Sequence, residues 1–264
     1  MPGAPSPPSP GERVHVVFLG TGGSGAPPGR AENCILAEAG GVAVLLDAGP
    51  GCSQRLLEAG YTVCDISYVY ISHLHLDHWS GLFDLAVQAS EQACRPPALL
   101  AAGPVAAEAR EVLLPRMPGS FREKARLEAV EPGGSLELGG LALEPVEARH
   151  TVPCYGALLR EEGGAALYYS ADTAPSRAVE EAAGKADLAA VEATMPSSLA
   201  EVAAATGHHT VEQALAHRRY MKPGSILALV HLTGSSLGEL RERARRGKLP
   251  RGVLVPSDGL AARI

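Results

Sequence analysis

A cluster of residues that can bind metal ions lies in the letters HLHLDH. These are His73, His75, Asp77 and His78, four ligand-type side chains within six positions. Side chains two positions apart point the same way in an extended chain, so His73 and His75 can reach one cation with nitrogen distances of about 2.0 to 2.1 Å. Asp77 and His78, one turn further on, can then face a second cation. A histidine-rich surface loop is the alternative, and the spacing favours the metal site.

Three further candidate ligands each come just after an apolar run that is typical of a buried strand. A residue at a strand end can reach a cleft shared with other strand ends without crossing the core. Taken alone, such a histidine is more often hydrogen-bonded than metal-binding, and such an aspartate is more often a turn or helix-cap residue. The first motif makes metal binding the better interpretation of all three. They are His150 after the run 141–148, Asp172 after 165–170 and His231 after 226–230.

The elements that must position these residues alternate between strands and helices. Because no fixed-period repeat and no long linker interrupts them, we expect one α/β domain at 13–264, after a disordered proline-rich tail at 1–12. The predicted strands are 13–19, 34–39, 42–46, 66–71, 98–101, 141–148, 155–160, 165–170, 188–192 and 225–230, and the predicted helices are 54–59, 81–89, 105–114, 176–183, 211–221 and 237–246.

The composition limits the possible partners and compartments. The chain has 264 residues, 46% of them hydrophobic, and a formal net charge of −6, which gives no general attraction to nucleic acid or to an anionic membrane. No apolar run approaches the roughly 20 residues of a membrane span, and no signal pattern precedes the first strand, so we expect a cytoplasmic protein. Five cysteines without a CxxC pair are interpreted mostly as small buried apolar residues rather than as a disulfide framework. They are Cys34, Cys52, Cys64, Cys94 and Cys154.

The order of the candidate ligands resembles that of the metallo-β-lactamase superfamily, in which the motif HxHxDH is followed by a later His, Asp and His. The resemblance covers nearly the whole chain from Val14 onward. It implies the family's four-layer αββα sandwich of two mixed β-sheets flanked by helices, with the metals at one edge. Asp47 matches the family's early aspartate, which orients the metal-bearing loop, although a turn aspartate before Gly49 explains the local sequence nearly as well. The resemblance also implies that His73, His75 and His150 hold one metal, that Asp77, His78 and His231 hold the other, and that Asp172 bridges both.

This ligand set predicts hydrolysis. Two cations about 3.5 to 4 Å apart lower the pKa of a bridging water towards neutrality and stabilise a developing oxyanion, so we expect a metal-bridging hydroxide as the nucleophile. Zinc suits a set rich in imidazole, so two Zn²⁺ ions are expected, with manganese or iron as alternatives. A related iron pair used for redox chemistry usually replaces a histidine by a carboxylate. The first motif here keeps all three histidines, which favours hydrolysis.

Three other stretches are similar to the ribonuclease Z branch of phosphodiesterases, which processes the 3′ end of transfer RNA. They are FLGTGG at 18–23, VEAT at 191–194 and GHHT at 207–210. In that branch the last two stretches are typically HEAT and HST, so Val191 replaces a histidine and His209 replaces a serine. The order and spacing agree, whereas the letters agree only in part.

The residues themselves support a role for the GHHT stretch. Thr210 is a good helix N-cap, which places His208 and His209 at the positive end of a helix. We expect His208 to protonate the departing alkoxide and Glu192 to hold the imidazole in the correct tautomer. The expected catalytic residues are therefore His208, Glu192 and the metal-bound Asp77. A pair of solvent-facing histidines is the alternative.

The substrate is expected to be small. Ribonuclease Z carries a long transfer-RNA-binding arm between the third histidine motif and the bridging aspartate, but only 22 positions separate His150 from Asp172 here, and no arm fits. We expect a small or cyclic phosphodiester or a short RNA 3′ end, with no membrane partner, and a homodimer. A lactonase or arylsulfatase on the same fold remains an alternative. So does a non-hydrolytic member of a cofactor-biosynthesis pathway, although such proteins often lose metal ligands.

Overall fold

The computed structural model describes residues 14–161 and 163–264. The proline-rich segment expected to be disordered at 1–12 lies outside the described residues. No helix in the described ranges is long and apolar enough to cross a membrane.

The first sheet joins the two ends of the described chain. Its strands there are β1 (His15–Gly20), β2 (Cys34–Ala39), β3 (Val42–Leu46), β4 (Tyr68–Tyr70), β5 (Ala98–Ala102), β6 (Leu127–Val130) and β14 (Leu260–Arg263). They lie in the order β14-β1-β2-β3-β4-β5-β6. The pairs from β3 to β6 are parallel, whereas β1 pairs antiparallel with both of its neighbours.

The second sheet is built from the later part of the chain. Its described strands are β7 (Leu136–Glu137), β8 (Leu141–Glu147), β9 (Tyr155–Glu161), β10 (Ala166–Tyr169), β11 (Leu188–Glu192), β12 (Ile226–Val230) and β13 (Val253–Leu254). They lie in the order β13-β12-β11-β10-β9-β8-β7. The pairs from β10 to β13 are parallel, and β9 pairs antiparallel with β8 and β10.

Helices cover the outer faces of both sheets. The described helices are α1 (Cys52–Glu58), α2 (Leu76–Trp79), α3 (Leu82–Glu91), α4 (Gly103–Val112), α5 (Gly119–Arg122), α6 (Arg177–Lys185), α7 (Ala200–Thr206), α8 (Val211–Ala216) and α9 (Gly234–Arg245). Short 3₁₀ turns lie at Val63–Asp65, Leu114–Arg116, Ser197–Leu199 and His217–Arg219.

Alternating side chains on the strands produce the four layers. On β1, Val16 and Phe18 pack between the two sheets, whereas Val17 and Leu19 pack on the opposite face, in the core that α1, α3 and α4 cover. The strand β11 alternates in the same way between the central core and the core under α6, α8 and α9. Because successive side chains leave opposite faces of a strand, strands buried on both faces read as continuous apolar runs. The expected αββα sandwich of two mixed sheets is confirmed.

The fold brings the candidate ligands to one edge. In each sheet, neighbouring parallel strands have their carboxyl ends at the same edge, which holds for β3 and β4 in the first sheet and for β10, β11 and β12 in the second. The strand β8 ends at this edge too, because β8 is antiparallel to β9 and β9 is antiparallel to β10. In sheets of this kind, ligands bind outside the carboxyl ends of the strands.

Several details differ from the expectations. The helix predicted at 211–221 ends at Ala216 and continues only as a 3₁₀ turn, and β6, β7, β13, β14 and α7 were not predicted. The expectation that the cysteines form no disulfides is wrong for four of them, although Cys34 and Cys52 are buried as expected. The structure joins Cys34 to Cys52 and Cys64 to Cys94, with Cα atoms 5.8 Å and 5.7 Å apart, which lies in the usual disulfide range. Only Cys154 is the buried free thiol that was expected.

Candidate metal centre

The segment after β4 carries the first motif to the edge of the sheet. His73 and His75 precede α2, and His75 has extended backbone angles, with φ −70° and ψ 142°, as the last residue before that helix. Asp77 and His78 lie in α2 itself. The change from extended chain to helix therefore directs the motif into two separate groups of ligands, as the spacing predicts.

The first group combines His73 and His75 with His150 and Asp172. Nε2 of His150 lies 3.1 Å from Nδ1 of His75. Oδ2 of Asp172 lies 3.8 Å from Nε2 of His73 and 3.9 Å from Nε2 of His150. Two nitrogens bound to one tetrahedral zinc ion at about 2.0 to 2.1 Å would stand about 3.3 Å apart, so this spacing fits a single ion.

The second group combines Asp77 and His78 with His231 and the same Asp172. Nε2 of His231 lies 3.1 Å from Oδ2 of Asp77 and 3.3 Å from Oδ1 of Asp172. Nε2 of His78 lies 3.3 Å from Oδ2 of Asp172 and 3.2 Å from Nε2 of His231. In each group, one ligand atom from every side chain lies within 4.8 Å of the others.

The electrostatics of the two groups suit cations. Among the described residues, Nε2 of His73 and Oδ1 of Asp172 are buried without a hydrogen-bond partner. Burial holds the pKa of His73 well below its usual value, so that its Nε2 is a bare lone pair. Burial acts to raise the pKa of Asp172, but His231 and His78 outweigh it and hold that pKa well below the usual range. A cation between the groups would satisfy both of these unpartnered atoms, Nε2 of His73 and Oδ1 of Asp172, so the residues present fit metal ions.

Partners outside the two groups fix the tautomers of the histidines. A metal-binding histidine normally donates its other ring N–H to a carboxylate, carbonyl or hydroxyl oxygen, which orients the ring. Four of the histidines do so through Nδ1 and leave Nε2 for the cleft. The pairs are His73 with Ser72 Oγ at 3.0 Å, His78 with Asp47 Oδ2 at 2.6 Å, His150 with the Gly207 carbonyl at 3.0 Å, and His231 with Thr194 Oγ1 at 2.8 Å.

Asp47 holds the motif-bearing loop in place. Its carboxylate accepts hydrogen bonds from the backbone N–H of Ser72 at 2.8 Å, from Oγ of Ser72 at 2.6 Å and from Nδ1 of His78 at 2.6 Å. The hydroxyl of Tyr169 donates a fourth bond at 2.6 Å, and Asn33 in turn donates to that hydroxyl. Asp47 is therefore much more than a turn residue, because it connects the first sheet, α2 and β10.

His208 and Glu192 form a pair beside the metal groups. Nδ1 of His208 donates to Oε1 of the buried Glu192 at 2.9 Å and lies 4.0 Å from Oδ2 of Asp172. Burial acts to lower the pKa of His208, but the bond to Glu192 and its charge raise that pKa to about 9. The His208 side chain keeps 13% of its surface exposed. His209 is fully buried and does not reach the cleft, so of the two histidines only His208 is accessible to a substrate.

Backbone strain is concentrated at the same edge. Three of the four described non-glycine residues with positive φ are Asp47 (59°), Ala171 (52°) and His231 (55°), each just after a strand. Such conformations cost about 1 to 3 kcal/mol each and persist only where the surroundings enforce them. Glycines allow close packing there, since a Cβ on Gly23 would lie 2.7 Å from the His231 ring, and one on Gly207 would lie 2.9 Å from Cα of His150.

Of the residues that orient the ligands, the sequence indicated Asp47 but not Thr194, Ser72 or Tyr169. Thr194 lies in the VEAT stretch, where its Oγ1 donates to Glu192 at 2.6 Å and accepts from His231. Ser72 directly precedes the first motif, and these two positions could have been found from their neighbours. Tyr169 lies in an ordinary apolar strand pattern, and no local signal marks it.

The chain matches the family model described as the β-lactamase superfamily domain over residues 43–232. Among curated proteins, it is 32% identical to ribonuclease Z from Ignicoccus hospitalis over 252 residues, which covers 77% of this chain and 83% of that one. It is 33% identical to ribonuclease Z from Methanopyrus kandleri over 136 residues, 52% of this chain. That match spans 46% of the length of the Methanopyrus protein, so the similarity there reaches only about half of the relative.

Two solved structures show the same fold. The metallo-β-lactamase fold protein YhfI from Bacillus subtilis superposes with a TM-score of 0.81 at 19% identity, over 96% of this chain and 100% of that one. The short form of human tRNase Z superposes with a TM-score of 0.73 at 20% identity, over 95% of this chain and 99% of that one.

Proposed function

Since the chain belongs to the β-lactamase superfamily and is a metal-dependent hydrolase, we propose that it is a phosphodiesterase that acts on a small or cyclic phosphodiester or on an RNA 3′ end. We propose that two cations, with zinc the first choice, occupy the two ligand groups. His73, His75 and His150 hold one ion, Asp77, His78 and His231 hold the other, and Asp172 bridges them. The proposal treats residues 13–264 as one hydrolase domain.

The observation that carries this proposal is the pair formed by His208 and Glu192. Phosphodiester cleavage leaves an alkoxide that must gain a proton, and an imidazole held in one tautomer by a buried carboxylate is suited to donate it. Because Nδ1 of His208 is bonded to Glu192, its other nitrogen, Nε2, is the one that can carry the transferred proton. The similarity to relatives named ribonuclease Z also supports a phosphodiester as the bond that is cleaved.

The protein's own residues divide the work. When bound, the cations supply Lewis-acid activation of water and of the phosphoryl oxygens. Asp47, Ser72 and Thr194 keep the ligand imidazoles oriented, so the donor atoms do not need to reorganise during the reaction. His208 then gives its proton to the leaving oxygen, and Glu192 stabilises the imidazolium before the transfer.

The distribution of charge supports an RNA end among these substrates. The net charge is −6, but residues 214–264 contain 10 of the 23 Lys and Arg residues and only 3 of the 29 Asp and Glu residues. Much of this charge lies on α9, which begins three positions after His231 and exposes Arg241 and Arg245, and on the turn after it, where Lys248 is exposed. A locally basic surface attracts phosphate groups even when the whole protein is acidic. The described residues between His150 and Asp172 include β9, β10 and turn residues, and 22 positions leave no room for a long arm that could grip a transfer RNA.

A panel of chromogenic substrates tests the proposal. Protein with a measured metal content is assayed on bis(4-nitrophenyl) phosphate, 4-nitrophenyl sulfate and an aryl-substituted lactone. We expect the phosphodiester to be turned over with the highest kcat/KM. A preference for the lactone or the sulfate would overturn the phosphodiesterase assignment and leave the hydrolase assignment in place.

A further inference from the structure

Two histidines outside the metal groups form a buried chain that ends beside Asp172. His209 is fully buried and His217 is 2% exposed. Nδ1 of His209 donates to the backbone carbonyl of Thr173 at 2.6 Å, and Nε2 of His209 lies 2.8 Å from Nε2 of His217. Neither ring appears among the groups of residues that could hold a metal ion in the described chain.

The direction of these hydrogen bonds follows from the acceptor at one end. A carbonyl oxygen can only accept, so the proton of a neutral His209 is on Nδ1 and its Nε2 is a lone pair. The 2.8 Å contact then requires that His217 donate its Nε2–H to His209. This leaves Nδ1 of His217 as an acceptor, and that atom is buried without a partner in the described structure.

The neutral state of both rings agrees with their surroundings. Burial, together with His209 and Arg219, lowers the pKa of His217 to about 3. Burial also lowers the pKa of His209. At neutral pH the pair therefore carries two ring protons, one for each hydrogen bond of the chain.

The residue that receives this chain is Thr173, which directly follows Asp172. The N–H of Thr173 donates to Oε1 of Glu192 at 3.1 Å, and its carbonyl accepts from His209. Ala171, on the other side of Asp172, has a φ of 52°. Asp172 thus lies between the strained Ala171 and Thr173, whose N–H and carbonyl are both hydrogen-bonded. The hydrogen bond to the Thr173 carbonyl depends on His217, because His217 orients His209.

We propose that His217 is a positioning residue, which acts through His209 and the Thr173 carbonyl to hold the Asp172 carboxylate between the two metal groups. The inference rests on the proposed metal site. His217 touches neither the cleft nor a ligand, and its effect is on how tightly the cations are held. Loss of a direct hydrogen-bond partner of a metal ligand typically costs about 10- to 100-fold in metal affinity, and His217, which acts through two intermediate groups, should contribute no more than the lower end of that range.

The tautomers provide the first test. In the zinc-loaded protein, two-bond nitrogen–proton correlation spectra of labelled histidine should show the Nδ1–H tautomer for His209 and the Nε2–H tautomer for His217. The opposite tautomer, or a charged ring, at either position at neutral pH would overturn the proposed chain.

Zinc affinity provides the second test, measured by competition with a chelator. We expect His217→Leu to weaken binding of the more labile zinc ion by up to about 10-fold, and His217→Gln, whose amide can donate to His209, to recover most of that loss. His15→Leu removes a partly buried histidine that contacts Tyr61 at the amino end of β1, opposite the strand ends that carry the ligands, and it should leave zinc affinity unchanged. Unchanged zinc affinity in a folded His217→Leu protein would overturn the proposal.

A double variant separates positioning from general stability. If His217 acts through His209, then His217→Leu should cause no further loss of zinc affinity when His209→Ala is already present. Additive losses would instead assign His217 a general packing role and reject the inference. Neither readout uses a substrate, so failure of the phosphodiesterase proposal, seen as absent turnover of bis(4-nitrophenyl) phosphate, would be recognised separately.

Discussion

Oδ2 of Asp172 lies 3.3 Å from Nε2 of His78 and 3.9 Å from Nε2 of His150, so a single carboxylate oxygen faces both metal groups. We expect about two zinc ions per chain in the wild-type protein. If Asp172 neutralises two cations at once, Asp172→Ala should bind one zinc ion or none and should lose nearly all turnover. Elemental analysis of the purified protein measures this. Asp187→Ala removes a half-exposed aspartate that pairs with Lys222, and it should keep both ions. An Asp172→Ala protein with full zinc content and a normal rate would contradict the ligand assignment.

The role of His208 can be read from the leaving group. An alkyl alkoxide needs a proton, whereas nitrophenolate departs without help, and general acid catalysis is typically worth about 10²- to 10⁴-fold. We expect the His208→Ala protein to keep its metals. Its hydrolysis of an alkyl phosphodiester should be much slower than that of wild type, whereas its hydrolysis of bis(4-nitrophenyl) phosphate should be slowed much less. Glu192→Gln should show a weaker form of the same pattern.

The ratio of the two losses decides the interpretation of His208. Equal losses on both substrates would assign His208 to phosphate binding. No loss on either would exclude it from the reaction and favour a lactonase or sulfatase instead.

The basic surface of α9 can be tested with a fluorescently labelled single-stranded RNA. Reversing the charge of Arg241, Arg245 and Lys248 to Glu should weaken RNA binding. It should also reduce the slope of log K against log salt by about 2, since each phosphate contact on a single strand contributes about 0.7. Hydrolysis of bis(4-nitrophenyl) phosphate should not change, because that substrate is too small to reach the helix.

A matched control lies elsewhere on the molecule. Arg95, Lys124 and Arg126 line a 550 Å³ cavity near the amino end of β5, away from the strand ends that carry the ligands. Reversing these three charges changes the net charge equally. If both triple variants weaken RNA binding alike, the effect comes from net charge, and α9 has no special part in it.

The buried His217 predicts a pH dependence of stability. Its pKa falls from 6.5 to about 3 on folding. Between those values the unfolded chain binds the proton and the folded chain does not, so unfolding becomes easier as the pH falls through this window, by about 1.4 kcal/mol per pH unit. His209 and Arg219 are the charged or titratable neighbours that oppose the charge. In thermal unfolding experiments, the free energy of unfolding of His217→Gln should therefore fall less than that of wild type between pH 6 and pH 4. The difference between the two proteins should grow by at most about 1.4 kcal/mol per pH unit. If the free energies of unfolding of the two proteins fell equally with pH, the assignment of a neutral buried imidazole to His217 would be contradicted.

The predictable parts of the fold are those whose strands are buried on both faces. The strands Cys34–Ala39, Val42–Leu46 and Leu188–Glu192 begin and end where the sequence predicts, because continuous apolar runs between turn residues leave little choice of boundary. The strand Leu260–Arg263 was missed, since its alternating half-buried pattern is short and its pairing with β1 joins distant parts of the chain.

The candidate site divides in the same way. Metal-ligand spacing is a local signal for His73, His75, Asp77 and His78, whereas His150, Asp172 and His231 were named from their places after strands and from the family's order of ligands. The structure brings all seven candidates together. Whether His208 or His209 faces the cleft depends on how α8 packs against β11, which no local pattern encodes. The cysteine pairs were missed for a similar reason, because the contacts that join Cys34 to Cys52 and Cys64 to Cys94 are set by tertiary packing.

Each ligand group combines two side chains that follow β4 of the first sheet with two side chains that follow strands of the second sheet. His73 and His75 meet His150 and Asp172 in one group, and Asp77 and His78 meet Asp172 and His231 in the other. A bound ion would consequently act as a cross-link between the halves of the sandwich, and binding only to the assembled state raises the free energy of unfolding. Zinc should then raise the opening free energies of amide hydrogens in both sheets together, and chelation should lower both together, because the two sheets share one central core.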